Sequence, residues 1–389
     1  MRNVYLDYSA TTPVKDEVLK EMLPYFSEKF GNPSSLYDLG LESKDAVTKA
    51  RTQVAELIGA SEKEIFFTAG GTEADNWVLF GAADKLKDKG NHIITTKIEH
   101  HAMLHSCQFL EKHGYEVTYL DIDENGLVRP EDLEAAITDK TILISVMMVN
   151  NEIGTVQPIK ELAAIAKSHK ILFHTDAVQA VGNVAIDVKE LGVALLSMSA
   201  HKIYGPKGSG ALYMRKGVRI SNYLHGGAQE NRKRAGTENL TGIVGFGKAA
   251  ELARVNFDQH VAHCSELRNH LVERILNEIP DTFVNGSMEK RHPGNASITF
   301  EYIEGEAILL LLNQFGVSVS TGSACSSTSL EPSHVLTALG VPVEKIHGTV
   351  RFTVGDMTTK EDIDYVVDHL KTIISRLREI SSVNTQKGW

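Results

Sequence analysis

Seven short apolar runs lie between residues 64 and 215, and several are apolar almost throughout rather than alternating with polar residues. Strands buried on both faces of a parallel sheet have this pattern, because neither face meets water. The runs predict strands at residues 64–70, 91–100, 115–122, 141–150, 170–177, 193–200 and 208–215.

Helical patterns lie between these runs. Residues 43–59 carry apolar positions at helical spacing and end at Gly59, a common C-terminal stop. Residues 157–169 also predict a helix, with Pro158 near their start, and proline is tolerated in the first turn of a helix. Alternation of strands and helices predicts an α/β fold with a mostly parallel, seven-stranded sheet.

The pattern changes after Phe257. A long helical stretch at 261–279 is followed by two segments, 295–303 and 315–322, that alternate as half-buried strands do. These elements predict a smaller α+β C-terminal domain. We expect residues 14–256 to form the large domain, and 1–13 with 257–389 to form the small one.

A final helix is predicted by a capping box, in which Thr358 at the N-cap and Glu361 three residues later satisfy each other's backbone N–H groups. Its apolar stripe consists of Ile363, Val366, Val367, Leu370, Ile374 and Leu377.

Composition places few constraints on function. The 389 residues are 42% hydrophobic and 23% charged, and no apolar run approaches the roughly 18 residues of a membrane span. The opening MRNVYLDYSATTPV lacks a secretory signal, which predicts a cytoplasmic protein without a membrane segment. The net charge of -10 argues against nucleic-acid binding.

Three widely spaced cysteines, Cys107, Cys264 and Cys325, form neither a disulfide framework nor a CxxC metal site. Cys325 stands among small polar residues, which is unusual for a free cysteine, since most are buried. The basic run 231–236 is by default a solvated face.

Ligands of open α/β sheets bind beyond the carboxyl ends of the strands, so polar residues at those ends are candidates for a site. Gly71 and Thr72 open a helix after the first run and could hold an anion; the alternative is an ordinary glycine turn with Thr72 as N-cap. Asp176 ends another apolar run, with Gln179 three residues on, and either binds a cationic ring nitrogen or caps a helix.

A candidate Schiff-base lysine, Lys202, follows a third apolar run together with Ser199 and His201. The alternative is a surface lysine. His100 ends the run at 91–100 and could stack on a flat cofactor; a zinc site that uses His101 and His105, four residues apart, is the weaker reading, because no matching ligand pair stands out elsewhere.

Asn151 follows a further run, and Arg351 lies inside an otherwise apolar strand pattern. A buried arginine is expected to pair with a carboxylate, either that of a substrate or that of an internal salt bridge. An anion site, a buried acid, a lysine, a stacking histidine and an arginine together are the parts of a pyridoxal-phosphate site that acts on an amino acid.

Motifs along nearly the whole chain resemble those of the NifS/IscS family of cysteine desulfurases, which are fold-type I pyridoxal-phosphate enzymes. They are YLDYSATTPV, GNPSS, GGTEADNW, VNNEIG, HTDAVQ, SAHKIYGPKG, RAGTEN and GSACSSTSLEPSH, in the order of the family. The combination of SAHK with the downstream cysteine segment is the most specific.

The resemblance implies a role for each matching residue. Lys202 would hold pyridoxal 5'-phosphate covalently, and His100 would stack on its ring and assist proton transfer. The cofactor-binding residues would be Gly71, Thr72, His100, Asn151, Asp176, Gln179, Ser199, His201, Lys202 and Thr237. Asn151 and Arg351 would hold the carboxylate of the substrate, L-cysteine. No metal is implied.

The resemblance also implies that Cys325, in a segment at about 320–334, takes sulfur from L-cysteine as a persulfide, with L-alanine as product. An iron–sulfur scaffold protein of the IscU/NifU type would then accept the sulfur. Thr237 would reach the phosphate of the neighbouring subunit's cofactor, which predicts a homodimer and gives the basic run a place near an anion. Cys107 and Cys264 are interpreted as structural.

Two other readings share most of these residues. A selenocysteine lyase or another pyridoxal-phosphate enzyme on the same scaffold would use the same cofactor set, although a transaminase has no need of Cys325. A non-catalytic protein that kept the fold would not require Lys202 and Cys325, and both are present.

Overall fold

A seven-stranded sheet forms the centre of the larger part of the chain in the computed structural model, which describes residues 2–321 and 332–381. All seven predicted strands are confirmed. They are β2 (Ile65–Thr68), β3 (His92–Thr96), β4 (Glu116–Leu120), β5 (Thr141–Ser145), β6 (Leu172–Asp176), β7 (Leu195–Ser199) and β8 (Gly210–Met214).

The strand order is β2-β8-β7-β6-β5-β3-β4. Only β8 runs antiparallel to its neighbours, and the remaining pairs are parallel. The predicted fold class is therefore confirmed. The strands are shorter than the apolar runs, so β3 ends at Thr96 and β5 at Ser145. The polar residues that follow lie in connecting segments at one edge of the sheet.

Helices cover both faces of this sheet. They are α1 (Asp16–Met22), α2 (Pro24–Ser27), α3 (Asp38–Leu57), α4 (Gly71–Leu86), α5 (His101–Glu111), α6 (Pro130–Ala136), α7 (Ile159–Ser168), α8 (Val188–Leu191), α9 (Gln229–Arg232) and α10 (Leu240–Val255). Gly59 follows α3 with a φ of 69°, a left-handed conformation that favours glycine and ends the helix as predicted. Pro158 lies one residue before α7 rather than in its first turn.

The rest of the chain forms a smaller α+β part. It contains α11 (Phe257–Glu278), α12 (Gly305–Gln314), α13 (His334–Ala338), α14 (Val343–Ile346) and α15 (Lys360–Ile380), with strands β1 (Val4–Tyr5), β9 (Thr282–Val284), β10 (Asn295–Phe300), β11 (Val317–Ser318) and β12 (Thr349–Thr353). Strands β12, β10 and β9 form an antiparallel sheet, and β1 pairs in parallel with β11.

The predicted capping box of the last helix is wrong by one residue. Helix α15 begins at Lys360, and the box is formed by Thr359 and Asp362, whose side chains bind each other's backbone N–H groups. Thr358 instead accepts the N–H of Gly355 in the preceding turn. Both threonines have an acid three residues later, so the pattern alone could not fix the register.

Separate apolar cores support the proposed division of the chain. Two cores pack on the large sheet, one running from Val18 to Ala250 and the other from Phe66 to Ile220. A separate core contains Val4, Leu6 and residues from Cys264 onwards. A small fourth cluster joins the two parts, in which Val335 and Leu336 of α13 pack with Ile98 and Ile153. Among the described helices, none has the length and apolar character needed to cross a membrane.

Candidate active site

A cavity of about 320 Å³ lies where β3, β5, β6 and β7 end. It brings together ten of the twelve predicted site residues: Gly71, Thr72, His100, Asn151, Asp176, Gln179, Ser199, His201, Lys202 and Arg351. Thr237 is exposed and does not line it. Cys325 lies outside the described residues.

Lys202 follows β7 directly, in a single 3₁₀ turn formed by Ala200–Lys202. Its ammonium group donates to the backbone carbonyls of Ser9 and Ala10, at 2.5 and 2.9 Å. The chain then reverses at Tyr204, which has a φ of 64° and donates its N–H to the hydroxyl of Thr12 at 2.8 Å. The alternative of a surface lysine is therefore excluded, and the N-terminal segment forms one wall of the site.

Asp176 is the last residue of β6 and is 5% exposed. Its Oδ1 accepts the N–H of Val178 at 2.8 Å. Burial raises the pKa of this carboxyl group, while the Val178 hydrogen bond and the positive charge of Lys202 oppose the rise. Gln179, also in the cavity wall, donates from Nε2 to the carbonyl of Ser9 at 2.9 Å.

His100 is the N-cap of α5, and its Nδ1 accepts the N–H of Ala102 at 3.1 Å. Since Nδ1 accepts, the neutral ring carries its proton on Nε2. Burial lowers the pKa of His100 to about 4, and the nearby charges of His101 and Lys202 act in the same direction. At neutral pH His100 is thus an uncharged ring that donates from Nε2.

The first turn of α4 lines the cavity with Gly71 and Thr72. An α-helix leaves its first N–H groups without internal acceptors, and its N-terminus favours negative charge. Thr72 is the second residue of α4, and the N-cap is Gly70, so the alternative of Thr72 as N-cap is wrong. A Cβ on Gly71 would lie 2.5 Å from Val178 Cγ2, so the close packing beside Asp176 needs glycine there.

Arg351, the third residue of β12, is 2% exposed and has two partners. Its Nη2 donates to Asp7 Oδ1 and its Nη1 to the carbonyl of Asn151, both at 2.8 Å. The internal salt bridge that the sequence left open is thus present. The Nε–H is buried without a hydrogen-bond partner among the described residues.

The sequence did not single out the second acid of the cavity wall, Asp75, although it stands in the GGTEADNW motif. An acid at the fifth residue of a helix whose neighbours are mostly apolar was the available signal. The backbone carbonyls of Ser9 and Ala10 were also missed, because main-chain groups leave no mark in a sequence.

The possible zinc pair, His101 and His105, has ring centres 4.9 Å apart, but His105 is exposed and does not line the cavity. Of the residues that the structure describes, one group of three, His260, Cys264 and Asp356, brings potential ligand atoms within 4.8 Å of one another. Lys15 already binds that Asp356 carboxylate at 2.5 Å, so the group forms a complete polar cluster without an ion.

The two described cysteines are buried thiols. Cys107 is 0% and Cys264 1% exposed, and burial raises the pKa of each to about 12. Neither thiol reaches the thiolate form that nucleophilic chemistry requires, which agrees with a structural role for both.

The basic run is not simply a solvated face. Arg234 pairs through two nitrogens with Glu73 in the first turn of α4, at 2.8 and 2.9 Å. This ion pair holds the basic run, residues 231–236, against the first turn of α4, which lines the cavity.

A fold with a seven-stranded, mostly parallel sheet and a lysine at the end of one strand defines an enzyme of the aminotransferase class. The chain matches the class-V aminotransferase family over residues 4–366. It is 56% identical over 384 residues to the cysteine desulfurase IscS of Methanosarcina thermophila, covering 99% of this chain and 95% of that protein.

Two solved structures are similar as well. A NifS-like protein matches with a TM-score of 0.91 at 38% identity, covering 97% of this chain and all of the other. A structure described as SspA in complex with cysteine matches with a TM-score of 0.81 at 36% identity, covering 92% and 100%. The chain belongs to the cysteine desulfurases of the class-V aminotransferase family. The alternative lyases are not favoured.

Proposed function

We propose that this desulfurase holds pyridoxal 5'-phosphate in the cavity, with Lys202 as the covalent attachment. The observation that carries the proposal is the convergence of Lys202, the buried Asp176 and Arg351 on one cavity. The cofactor, when bound, supplies an electron sink that weakens bonds to the α-carbon and the carbon–sulfur bond of the substrate.

The phosphate is proposed to lie at the first turn of α4, where backbone N–H groups and the Thr72 hydroxyl can donate to it. Ser199 and His201 also line the cavity and are proposed to bind the phosphate with Thr72. Burial lowers the pKa of His201 to about 4, so the ring is neutral and donates a hydrogen bond rather than a charge.

Asp176 is proposed to accept the N–H of the pyridine ring. The protonated ring would give this buried acid a second positive charge beside that of Lys202. His100 is proposed to stack on the ring, where its Nε2–H can move a proton to or from the substrate. Gln179 is proposed to bind the ring's phenolic oxygen; in the described structure its amide donates to Ser9.

Arg351 is proposed to bind the carboxylate of L-cysteine, with Asn151 beside it. A carboxylate that accepts from Nε would satisfy the buried donor. Asp7 fixes the orientation of the guanidinium group beforehand. The similar structure described as a complex with cysteine supports this choice of substrate.

Cys325 is proposed as the nucleophile that takes the substrate sulfur. The support is its segment motif and the burial of the other two thiols. The thiolate attacks the substrate sulfur and the carbon–sulfur bond breaks. The electron pair of the broken carbon–sulfur bond stays with the substrate carbon, which takes up a proton. Cysteine thereby becomes alanine, and Cys325 becomes a persulfide.

We also propose a homodimer in which Thr237 reaches the partner's phosphate. Thr237 is exposed and outside its own cavity, as a residue that serves a neighbouring subunit would be. The proposed acceptor of the sulfur is an iron–sulfur scaffold protein, supported by relatives named IscS. Free thiols at Cys107 and Cys264 support a cytoplasmic location.

The test is to incubate the holoenzyme with L-cysteine, omit reductant, and map its peptides by mass spectrometry. One extra sulfur is expected on Cys325 and none on Cys107 or Cys264. Cys325→Ala should bind L-cysteine and change the cofactor absorbance but accumulate no persulfide, whereas Cys107→Ala and Cys264→Ala should keep the sulfur on Cys325. Alanine formation without sulfur on Cys325 would refute its role.

The cofactor assignment is tested separately. Borohydride reduction of the holoenzyme should fix pyridoxal phosphate to the peptide that contains Lys202. Lys202→Ala should bind the cofactor without covalent fixation. Attachment at any other lysine would contradict the proposal.

A further inference from the structure

A second carboxyl group, that of Asp75, lines the cavity together with Asp176. Asp75 lies in α4 and is 1% exposed. Its Oδ1 is buried and has no hydrogen-bond partner within residues 2–321 and 332–381. The basic group that approaches it is His174, whose Nε2 lies 3.7 Å away. Ser197 hydrogen-bonds to this carboxyl group, but a buried carboxylate with one oxygen unpartnered is costly.

His174 does not supply the missing positive charge. It is fully buried in β6, and this burial lowers its pKa to about 3. Its two ring nitrogens are hydrogen-bonded to the hydroxyls of Ser145 and Ser197, at 2.8 and 3.0 Å. Two hydroxyl partners satisfy a neutral imidazole, which has one donor and one acceptor. Asp75 therefore faces an uncharged ring.

The cavity lining holds three acids, Asp75, Glu152 and Asp176, against two cations, Lys202 and Arg351. Glu99 lies behind this lining and is fully buried, and burial raises its pKa to about 8 in spite of hydrogen bonds from Met147 and Thr96. Burial also raises the pKa of Asp75, and the repulsion from Asp176 adds to the rise. Lys202 is the cation whose charge opposes the rise at Asp176.

The partners of the two aspartates differ. Asp176 Oδ1 accepts the Val178 N–H at 2.8 Å, and the charge of Lys202 also favours the Asp176 anion. The Asp75 carboxyl group has a hydrogen bond from Ser197, but its Oδ1 has no donor among the described residues and no cation among them lowers its pKa. We propose that Asp75 is held as a neutral carboxylic acid, which leaves one negative charge on Asp176 and makes Asp75 a positioning residue for the ring nitrogen of the cofactor.

This inference rests on the proposed binding of pyridoxal phosphate. One anion opposite a pyridinium N–H balances one positive charge. A second anion at Asp75 would also attract protons to other groups of the cofactor, so a neutral Asp75 keeps the charge of the site matched. Asn is isosteric with Asp and carries no charge, so Asp75→Asn imitates the neutral acid.

Infrared spectroscopy of the holoenzyme at neutral pH tests the protonation state directly. Surface carboxylates are ionised there, so a carbonyl band of a protonated carboxylic acid reports a buried group. We expect such a band in the wild type, shifted in D₂O, and lost in Asp75→Asn. Glu99→Gln identifies any band that Glu99 contributes. Asp88→Asn, at an exposed position, is the control and should leave the spectrum unchanged.

A second readout follows the absorbance of the bound cofactor against pH. Asp75→Asn replaces one neutral group with another, so the midpoint should stay within about 0.3 units of the wild type, the difference expected when no charge is removed. If Asp75 is an anion, the infrared band is absent and the midpoint falls by about one unit or more. That result would overturn the inference.

The two proposals fail in distinguishable ways. A protein that binds no pyridoxal phosphate would refute the proposed function, yet the infrared spectrum of the same protein would still report the state of Asp75. If Asp75→Asn does not fold, the D₂O-sensitive band of the wild type, compared with that of Glu99→Gln, decides the question. A wild type without any band beyond that of Glu99 refutes a neutral Asp75.

Discussion

Arg351 is oriented by two acceptors of its own chain, Asp7 and the carbonyl of Asn151, while its Nε–H has none among the described residues. A buried donor without a partner costs about 1–3 kcal/mol. A substrate carboxylate that accepts from this nitrogen would remove the cost, which is the reason for the proposed role of Arg351.

Replacement of Arg351 tests this reading. Arg351→Lys keeps the charge but loses the planar fork, so the KM for L-cysteine should rise at least about tenfold, which corresponds to roughly 1.4 kcal/mol of lost binding. The absorbance of the bound cofactor should remain. Steady-state kinetics measure the effect, with Arg378→Lys in α15 as the control. An unchanged KM would remove Arg351 from the substrate site.

Single residues also show what a sequence leaves open at this scale. The sequence pattern predicts the positions of Lys202, Asp176 and His100. Each stands at the end of an apolar run or just after it, and a buried strand explains the run. The sequence pattern does not predict the partner of Arg351, because Asp7 stands 344 residues away along the chain and contacts Arg351 only in the folded structure. Asp75 is hidden in the same way by a helical pattern that does not reveal which face turns to the cavity.

At the scale of elements, apolar periodicity predicts which strands exist better than where they end. The run at 141–150 stays buried through Asn150, but the strand ends at Ser145. Val146 and Met148 still donate their N–H groups to the β6 carbonyls of His174 and Asp176, so neither burial nor these hydrogen bonds mark the end of the strand. Helix α15 shows the same limit at its start, where Thr358 and Thr359 both fit the capping pattern.

Three elements meet at Asp356, which follows β12. Its carboxylate binds Lys15, just before α1, and His260 in the first turn of α11, and its N–H donates to the hydroxyl of Tyr204. Burial acts to raise the pKa of Asp356, but the hydrogen bonds from His260 and Lys15 outweigh it and lower the pKa to about 2. The cluster thus joins the segment after Lys202 to the small sheet.

Removal of this charge should weaken the contact between the elements in a pH-dependent way. Because the folded pKa lies below the usual 3.8, the stabilisation is present above about pH 4 and is lost as the pH falls towards 2. Asp356→Asn should lower the free energy of unfolding at pH 7 by roughly 1–2 kcal/mol, after allowance for partial exposure.

The midpoint of thermal unfolding, measured from pH 7 down to pH 3, checks this prediction. The difference between the wild type and Asp356→Asn should shrink as the pH falls. Asp132→Asn, which breaks an exposed pair with Arg129, should leave the midpoint unchanged. A difference that is the same at every pH would show that the charge of Asp356 does not stabilise the fold.

At the scale of the whole molecule, one stretch of the large domain exposes large apolar side chains to solvent. Residues 19–41 include the GNPSS motif and hold exposed large apolar side chains, namely Leu19, Leu23, Phe26, Phe30, Leu36, Tyr37 and Leu41. Leu36 is 91% exposed. An apolar stretch of this kind typically marks an interface, and together with the exposed Thr237 it supports the proposed homodimer.

Charges placed in this stretch should separate the subunits and empty the active site at once. We expect Phe26→Glu combined with Leu36→Glu to give a monomer by sedimentation, because burying two carboxylates in an interface is costly. The monomer should also lose bound cofactor on gel filtration, since Thr237 of a partner no longer reaches the phosphate. Ile380→Glu, at an equally exposed apolar position outside the stretch, should remain dimeric and loaded. A double variant that stays dimeric would place the interface elsewhere, and a monomer that retains its cofactor as firmly as the wild type would show that Thr237 does not act across the subunits.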